Sequence, residues 1–169
     1  MAIINIRQFG DHVLKQASEP VSDVGREIKK LVKNMTETMY AAEGLGLAAV
    51  QIGILQRVIV TDVSGEGEKL MALANPRIVE KQGKITEEEG CLSVRGVQIP
   101  IERAQYIKIK GLDIKTKKEE TIEAEGWLAR AFQHEIDHLE GKLILDRATN
   151  EDRHKILRQL TLSNRNEGE

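Results

Sequence analysis

Apolar positions along the chain change period several times, and the changes mark out its elements. Residues 3–6 form a short apolar segment, read as a strand that ties down the N-terminus. Residues 11–20 are irregular, with Pro20 biasing Glu19 away from helix. From residue 23 onward Val24, Ile28, Leu31, Val32, Met35, Met39 and Ala42 recur at intervals of three and four. That spacing predicts a helix to residue 42 with one apolar stripe, capped by Ser22 or Asp23 and ended by Gly44. Met35 and Met39 are core filler on that stripe rather than a sulfur site.

The middle of the chain has a period of two. Val58-Ile59-Val60 predicts a buried strand, residues 64–68 an exposed turn, and residues 70–74 a returning strand. Asn75-Pro76 then reads as a second turn and residues 78–82 as a further strand. Ile99 and Ile101 flank Pro100, which suits a sheet edge because proline cannot donate to the ladder. Residues 106–110, 112–116 and 121–125 continue the alternation, so antiparallel sheet is expected up to Trp127. From there the period is helical again, with Trp127, Ala131, His134 and His138 on one strip and Leu128, Phe132, Ile136 and Leu139 beside it. Gly141 ends this helix. A last helix spans residues 151–162, with Thr149 and Asp152 at capping-box spacing and Ile156, Leu157 and Leu160 as its stripe; residues 164–169 are read as a fraying end. The expected class is α+β, in one catalytic domain over residues 1–169: antiparallel β-sheets around a central helix, with an N-terminal and a C-terminal helix.

That central helix carries Gln133-His134-Glu135-Ile136-Asp137-His138-Leu139-Glu140-Gly141. Residues 134 and 138 leave one face of a helix and can converge on a metal ion, with Glu135 beside them as a general base that is not a ligand. A catalytic metal of this kind takes three protein ligands and an open position, so one is missing. Cys91, the only cysteine, follows three acidic residues and Gly90. As a thiolate it would complete Cys-His-His, a set that suits Zn(II) or Fe(II). Taken instead as a nucleophile, Cys91 leaves Glu135 and the two-histidine spacing without a purpose. His12 and His154 fall outside any such pattern and are read as surface residues. Gly44-Leu45-Gly46-Leu47-Ala48-Ala49-Val50-Gln51 keeps a low side-chain profile, which fits either a tightly packed crossing or a ligand-binding edge. It lacks the spacing and the lysine of a phosphate loop.

Composition narrows the setting. A net charge of −2 and a pI near 6.1 carry no signal for nucleic acid. The apolar runs are too short to span a bilayer, and no secretory signal is visible. A single cysteine excludes an internal disulfide framework and favours a reducing compartment, the cytoplasm.

With these residues in place the chain resembles the peptide deformylases, metal-dependent hydrolases that remove the formyl group from the N-terminal formylmethionine of nascent polypeptides. Three motifs carry the resemblance, in the family's order: residues 44–51, Glu89-Gly90-Cys91-Leu92-Ser93, and residues 133–141. The resemblance implies Cys91, His134 and His138 as metal ligands and Glu135 as general base, then acid, in attack by metal-bound water on the formyl carbon. Gln51 and the Leu92 N–H are implied to bind the formyl oxygen. It implies Fe(II) as the metal, with Zn(II), Ni(II) or Co(II) able to occupy the site in a preparation. It also implies N-formylmethionyl chains as partners and admits a transient ribosome contact. Gly44, Leu45, Gly46, Glu89, Gly90 and Leu128 are expected to hold the peptide, with Ile99 and Arg95 as further candidates, and Glu43 is expected to pair with Arg103. Two positions depart from the family pattern: Arg95 where proline is common and Lys15 where arginine is common. The shared HExxH leaves two other readings, a metallopeptidase cutting internal bonds and a non-catalytic binding module. The thiolate ligand argues against the first, and the intact set of catalytic residues against the second.

Overall fold

In the computed structural model, residues 3–166 are described, with side chains through residue 163. Residues 164–166 are helical, and 167–169, the rest of the end read as fraying, lie outside the described residues. Two sheets enclose one helix. The larger has five strands: β1 (Gly46–Ala48), β2 (Val58–Thr61), β3 (Met71–Gln82), β6 (Tyr106–Asp113) and β7 (Glu119–Glu125), all neighbours antiparallel and in the order β1-β2-β3-β6-β7. The smaller pairs β4 (Ile85–Cys91) with β5 (Val94–Arg103). The helices are α1 (Arg26–Ala41), α2 (Gly126–Leu139), α3 (Ile144–Arg147) and α4 (Asn150–Asn166).

Alternation in β2 explains the layering. Val58 and Val60 pack with Met35 and Met39 of α1, whereas Ile59 packs on the opposite face with Phe132, Ile136 and Leu139 of α2. All four strand residues are therefore buried, which is why the run reads as continuously apolar. The far side of α2 faces the small sheet, whose inward face also packs through Ile99 and Ile101 on Ile144, Leu145 and Ile156, while Gln98, Pro100 and Glu102 on its other face are exposed. Pro100 lies in this two-stranded sheet, opposite Glu88, at a place where a missing donor costs little.

Several expectations need correction. Residues 3–6 form no strand and pair in neither sheet. They are anchored by the Ile4 N–H to Thr38 Oγ1, and Arg7 and Phe9 bond to the carbonyls of Gln51 and Ser93. A single 3-10 turn, His12–Lys15, interrupts the irregular stretch that follows. Helix α1 starts later than expected, on Gly25, because neither Ser22 nor Asp23 caps it. At its end Glu43, not Gly44, takes the left-handed conformation (φ 55°), and the Glu43 and Gly44 N–H groups close on Tyr40 and Met39. Asn75-Pro76 is no turn. It is an irregularity inside the single strand β3, with Asn75 at φ 52° and its side chain bonded to both backbone groups of Val21. The short α3 carried no sequence signal long enough to show a period.

At the other end of α2 the expected glycine stop is present. Gly141 has φ 72°, and the Gly141 and Lys142 N–H groups bond to the His138 and Asp137 carbonyls. A β-carbon there would also come within 2.5 Å of the Lys15 carbonyl oxygen. Gly141→Ala thus combines backbone strain with a backbone clash, and a loss of about 1–3 kcal/mol is expected. Chemical denaturation of the two proteins measures it, and an unchanged midpoint would disprove the account.

Candidate active site and metal centre

The cleft lies between the free edge of β1 and the end of the small sheet, and its volume is about 880 Å³. One wall is Glu43, Gly44, Leu45 and Gly46. The stretch is both an outer sheet strand and a tight crossing, since a β-carbon on Gly44 would meet Leu92 and one on Gly46 the Glu135 side chain, and the chain continues from β1 into a 3-10 turn, Ala49–Ile52. The opposite wall comes from an unequal pairing of β4 with β5. Glu89 faces Ile99 and Cys91 faces Val94, so residues 95–98 bow out opposite the single Gly90. A β-carbon on Gly90 would meet Gln98 Nε2 at 2.8 Å, the mobile end of an exposed side chain. The floor is α2, where Trp127, Ala131 and His134 follow the strip read from the sequence.

Three donor atoms converge in the cleft. Cys91 Sγ is 3.4 Å from His138 Nε2, and His138 Nε2 is 3.1 Å from His134 Nε2. All the ligand atoms of this trio lie within 4.8 Å of one another. Glu135 is buried beside them, and its Oε2 has no partner among the described residues. A β-carbon on Gly46 would collide with this carboxylate, so the small residue of β1 lets the general-base candidate reach the cleft. One soft thiolate, two imidazole nitrogens and an unpartnered carboxylate oxygen fit a divalent transition metal with an open position.

Electrostatics separate the roles. Burial pushes the Glu135 carboxyl up to about 7, offset in part by His134. Burial opposes charge on both imidazoles. The Cys91 thiolate and Glu89 nonetheless raise His134, whereas burial followed by repulsion from His134 holds His138 well below its ordinary value. Gln51 is oriented from both ends: its amide oxygen accepts the Ala48 N–H (2.9 Å), and its Nε2 donates to Ser93 Oγ (3.1 Å). The NH₂ group is thereby held near Cys91 Sγ, at 3.9 Å. Leu92 sits in the two-residue turn between β4 and β5 and borders the cleft.

Behind His134 lies a buried ion network. His134 Nδ1 is 2.6 Å from Glu89 Oε1. Glu89 also accepts from Arg103 (Nη2–Oε1 2.7 Å, Nε–Oε2 3.2 Å) and from Arg130 (Nη1–Oε2 2.7 Å). Burial by itself would raise the Glu89 carboxyl, but the bonds from His134 and Arg103 hold it well below the usual carboxylate range. The expected Glu43–Arg103 pair is therefore wrong. Arg103 is 5% exposed and engaged by Glu89 and Asp137, while Glu43 stands on the cleft rim. Leu128 and Ile99 do not line the cleft either: Leu128 packs on the five-stranded sheet and Ile99 lies between the small sheet and α3. Glu89 borders the cleft with its carboxylate turned inward. Val97, Trp127 and Ala131 supply apolar wall instead. Sequence reasoning also missed Arg130, Asp137 and Ser93. Arg130 lies four residues before His134 and Asp137 three after it, a spacing that places both beside the motif but names no partner.

A model of the polypeptide deformylase family matches residues 3–154. The peptide deformylase of Halothermothrix orenii is 50% identical over 147 residues, which are 87% of this chain and 94% of that protein. That of Thermodesulfovibrio yellowstonii is 48% identical, over 87% of this chain and 90% of the relative. Among solved structures, a peptide deformylase from Legionella pneumophila superimposes with a TM-score of 0.92 at 38% identity, covering 99% of this chain and 98% of that one. The Synechococcus elongatus enzyme, solved in complex with actinonin, gives 0.89 at 35% identity over 94% and 88% of the two chains.

Replacing Glu89 by glutamine leaves Arg103 and Arg130 buried without their shared carboxylate, so Glu89→Gln is expected to cost about 3–5 kcal/mol in unfolding free energy. The acid response follows from the signs. Glu89, Asp137 and Asp62 all have folded values below their ordinary 4.5, 3.8 and 3.8, with Asp62 near 2 because Ser64 and Tyr40 outweigh its burial. Their stabilisation is complete above the ordinary values and is lost as pH falls toward the folded ones. Denaturation of the metal-free protein across pH should show stability falling below about pH 4 as these three carboxylates protonate. A flat profile down to pH 2 would contradict the depressed Asp62 value.

Proposed function

This chain belongs to the peptide deformylase family and is a hydrolase that frees nascent chains of the formyl group on their N-terminal formylmethionine, and we propose that it does so with Cys91, His134 and His138 holding one divalent metal and Glu135 moving the proton. The observation that carries this reading is the trio of donor atoms in the cleft with a buried, unpartnered carboxylate oxygen beside it. A divalent ion held there supplies Lewis acidity, polarising the formyl carbonyl and acidifying water.

The chain's own residues account for the rest. The peptide lies extended along the free edge of β1, where residues 44–46 offer backbone groups to it, and its methionine side chain enters the apolar part of the cleft near Val97, Trp127 and Ala131. Gln51 Nε2, aimed by Ala48 and Ser93, donates to the formyl oxygen as charge develops on it, and the Leu92 N–H is the second donor. Because both are fixed before substrate arrives, they need no reorganisation in the transition state. Glu135 accepts a proton from the attacking water and returns it to the departing amine; burial, which raises its affinity for a proton, suits both halves of that task. Formate and a free N-terminus result.

The thiolate and two imidazoles suit Zn(II) or Fe(II), and the family resemblance points to Fe(II) as the native ion, with Zn(II), Ni(II) and Co(II) as substitutes. A lone free thiol in the site is consistent with the reducing cytoplasm, and no helix among the described residues is long and apolar enough to cross a membrane. The whole chain serves as one catalytic domain.

Formate release from a formyl-Met tripeptide, with metal quantified in the same sample, tests the reading. Glu135→Ala is expected to keep about one metal per chain and lose turnover, and an active, metal-replete variant would remove Glu135 from the mechanism. Gln51→Ala should lower kcat/KM by the equivalent of about 3 kcal/mol. Iron predicts oxygen-sensitive activity, so equal and lasting activity in aerobic and anaerobic preparations would count against it.

A further inference from the structure

Asp137 lies on α2 between the two histidines of the motif, yet its carboxylate takes no part in the cleft. Its Oδ2 accepts from Arg103 Nη1 (2.6 Å) and Arg147 Nε (3.0 Å), and its Oδ1 from Arg147 Nη2 (2.7 Å). Arg103 is shared with Glu89, and Glu89 is shared with His134. One line of contacts therefore runs Arg147, Asp137, Arg103, Glu89, His134. Arg130 joins it at Glu89, with its Nε 3.3 Å from Glu87. The charges close: Glu87, Glu89 and Asp137 face Arg103, Arg130 and Arg147, so the network is neutral when His134 is a neutral imidazole. That is the form in which Nδ1–H donates to Glu89 and Nε2 keeps its lone pair for a cation.

We propose that Asp137 is a positioning residue for the metal centre: by balancing Arg103 it keeps the surroundings of His134 neutral and so sets how tightly Cys91, His134 and His138 hold a divalent cation. This rests on the metal site proposed above. Removing the Asp137 charge leaves one uncompensated guanidinium charge behind a metal ligand, in a place where burial weakens screening. Arg103 is then left with Glu89 as its only carboxylate partner and competes harder with His134 for it. Removing Arg147 breaks the same ion pair but leaves the opposite charge, which favours a cation. A pair that merely braced α2 against α3 would give the same sign from both ends. Charge balance gives opposite signs.

The test uses D137N, R147M, the double variant D137N/R147M and the unmodified protein. Each is stripped of metal, checked for folding by its melting curve, and titrated with Zn(II) against a chromophoric chelator at neutral pH; Co(II) absorption reports the ligand arrangement. D137N is expected to bind Zn(II) about 10–100-fold more weakly and to change the Co(II) spectrum. R147M is expected to bind no more weakly than the unmodified protein, and the double variant, neutral again, to recover most of the loss. The proposal is overturned if D137N binds normally, if R147M weakens binding as D137N does, or if the double variant is no better than D137N. Should D137N fail to fold without metal, R147M and the neutral double variant still decide the sign. Zn(II) binding as tight in the Cys91→Ser variant as in the unmodified protein would overturn the site assignment itself and this proposal with it.

Discussion

A carboxylate buried against an imidazole stays ionised at neutral pH only if cations close around it. Glu89 meets that condition with four hydrogen bonds, one to His134 and three to the guanidiniums of Arg103 and Arg130. Much of the architecture follows from placing those groups. Glu89 and Arg103 come from the two strands of the small sheet, while Arg130 and His134 come from α2, one turn apart. The network thus joins α2 to the small sheet on the side that apolar packing does not cover. Such a junction contributes little net stability compared with an apolar contact of the same size, but it fixes relative position, since only one arrangement satisfies every group.

Apolar packing does the complementary work on the other side of the helix. Phe132, Ile136 and Leu139 lie against Ile59, Leu73, Ile107 and Ile109 of the five-stranded sheet. The helix is then held by oil on one face and by ion pairs on the other, and its remaining strip, with Trp127, Ala131 and His134, is left to the cleft. Backbone detail completes the site. The left-handed Glu43 turns the chain out of α1 into β1, and Gly46 admits the Glu135 carboxylate. The four residues that bow out opposite Gly90 shape the far wall.

The periodicities carried the helices and most strands because each of those elements buries one face, and a buried face writes its spacing into the sequence. The candidate metal trio was equally accessible. Ligand chemistry admits few residue types, and a thiol and two helix-spaced histidines are rare enough in this chain, with its one cysteine and four histidines, to stand out. Asn75-Pro76 shows the limit: the same dipeptide serves a turn or a bulge, and pairing with β6 decides which. Leu128 shows another, since an apolar residue fits a cleft wall and a sheet face equally well until the rotation of the helix is fixed.

Sequence by itself determined the local periods, the glycine stop at Gly141, the paired histidines and the general-base candidate, because each depends on side-chain type at short separation, and it singled out Cys91 as the candidate third ligand because it is the chain's one thiol. Tertiary structure alone decided who faces whom: Arg103 against Glu89 and Asp137 rather than Glu43, Ser93 against Gln51, and Trp127 rather than Leu128 toward the cleft. The reason is physical. Charged and polar groups have several acceptable partners, and the choice among them is made by burial and by the few ångströms that separate strands and helices far apart in sequence, neither of which is encoded in local spacing.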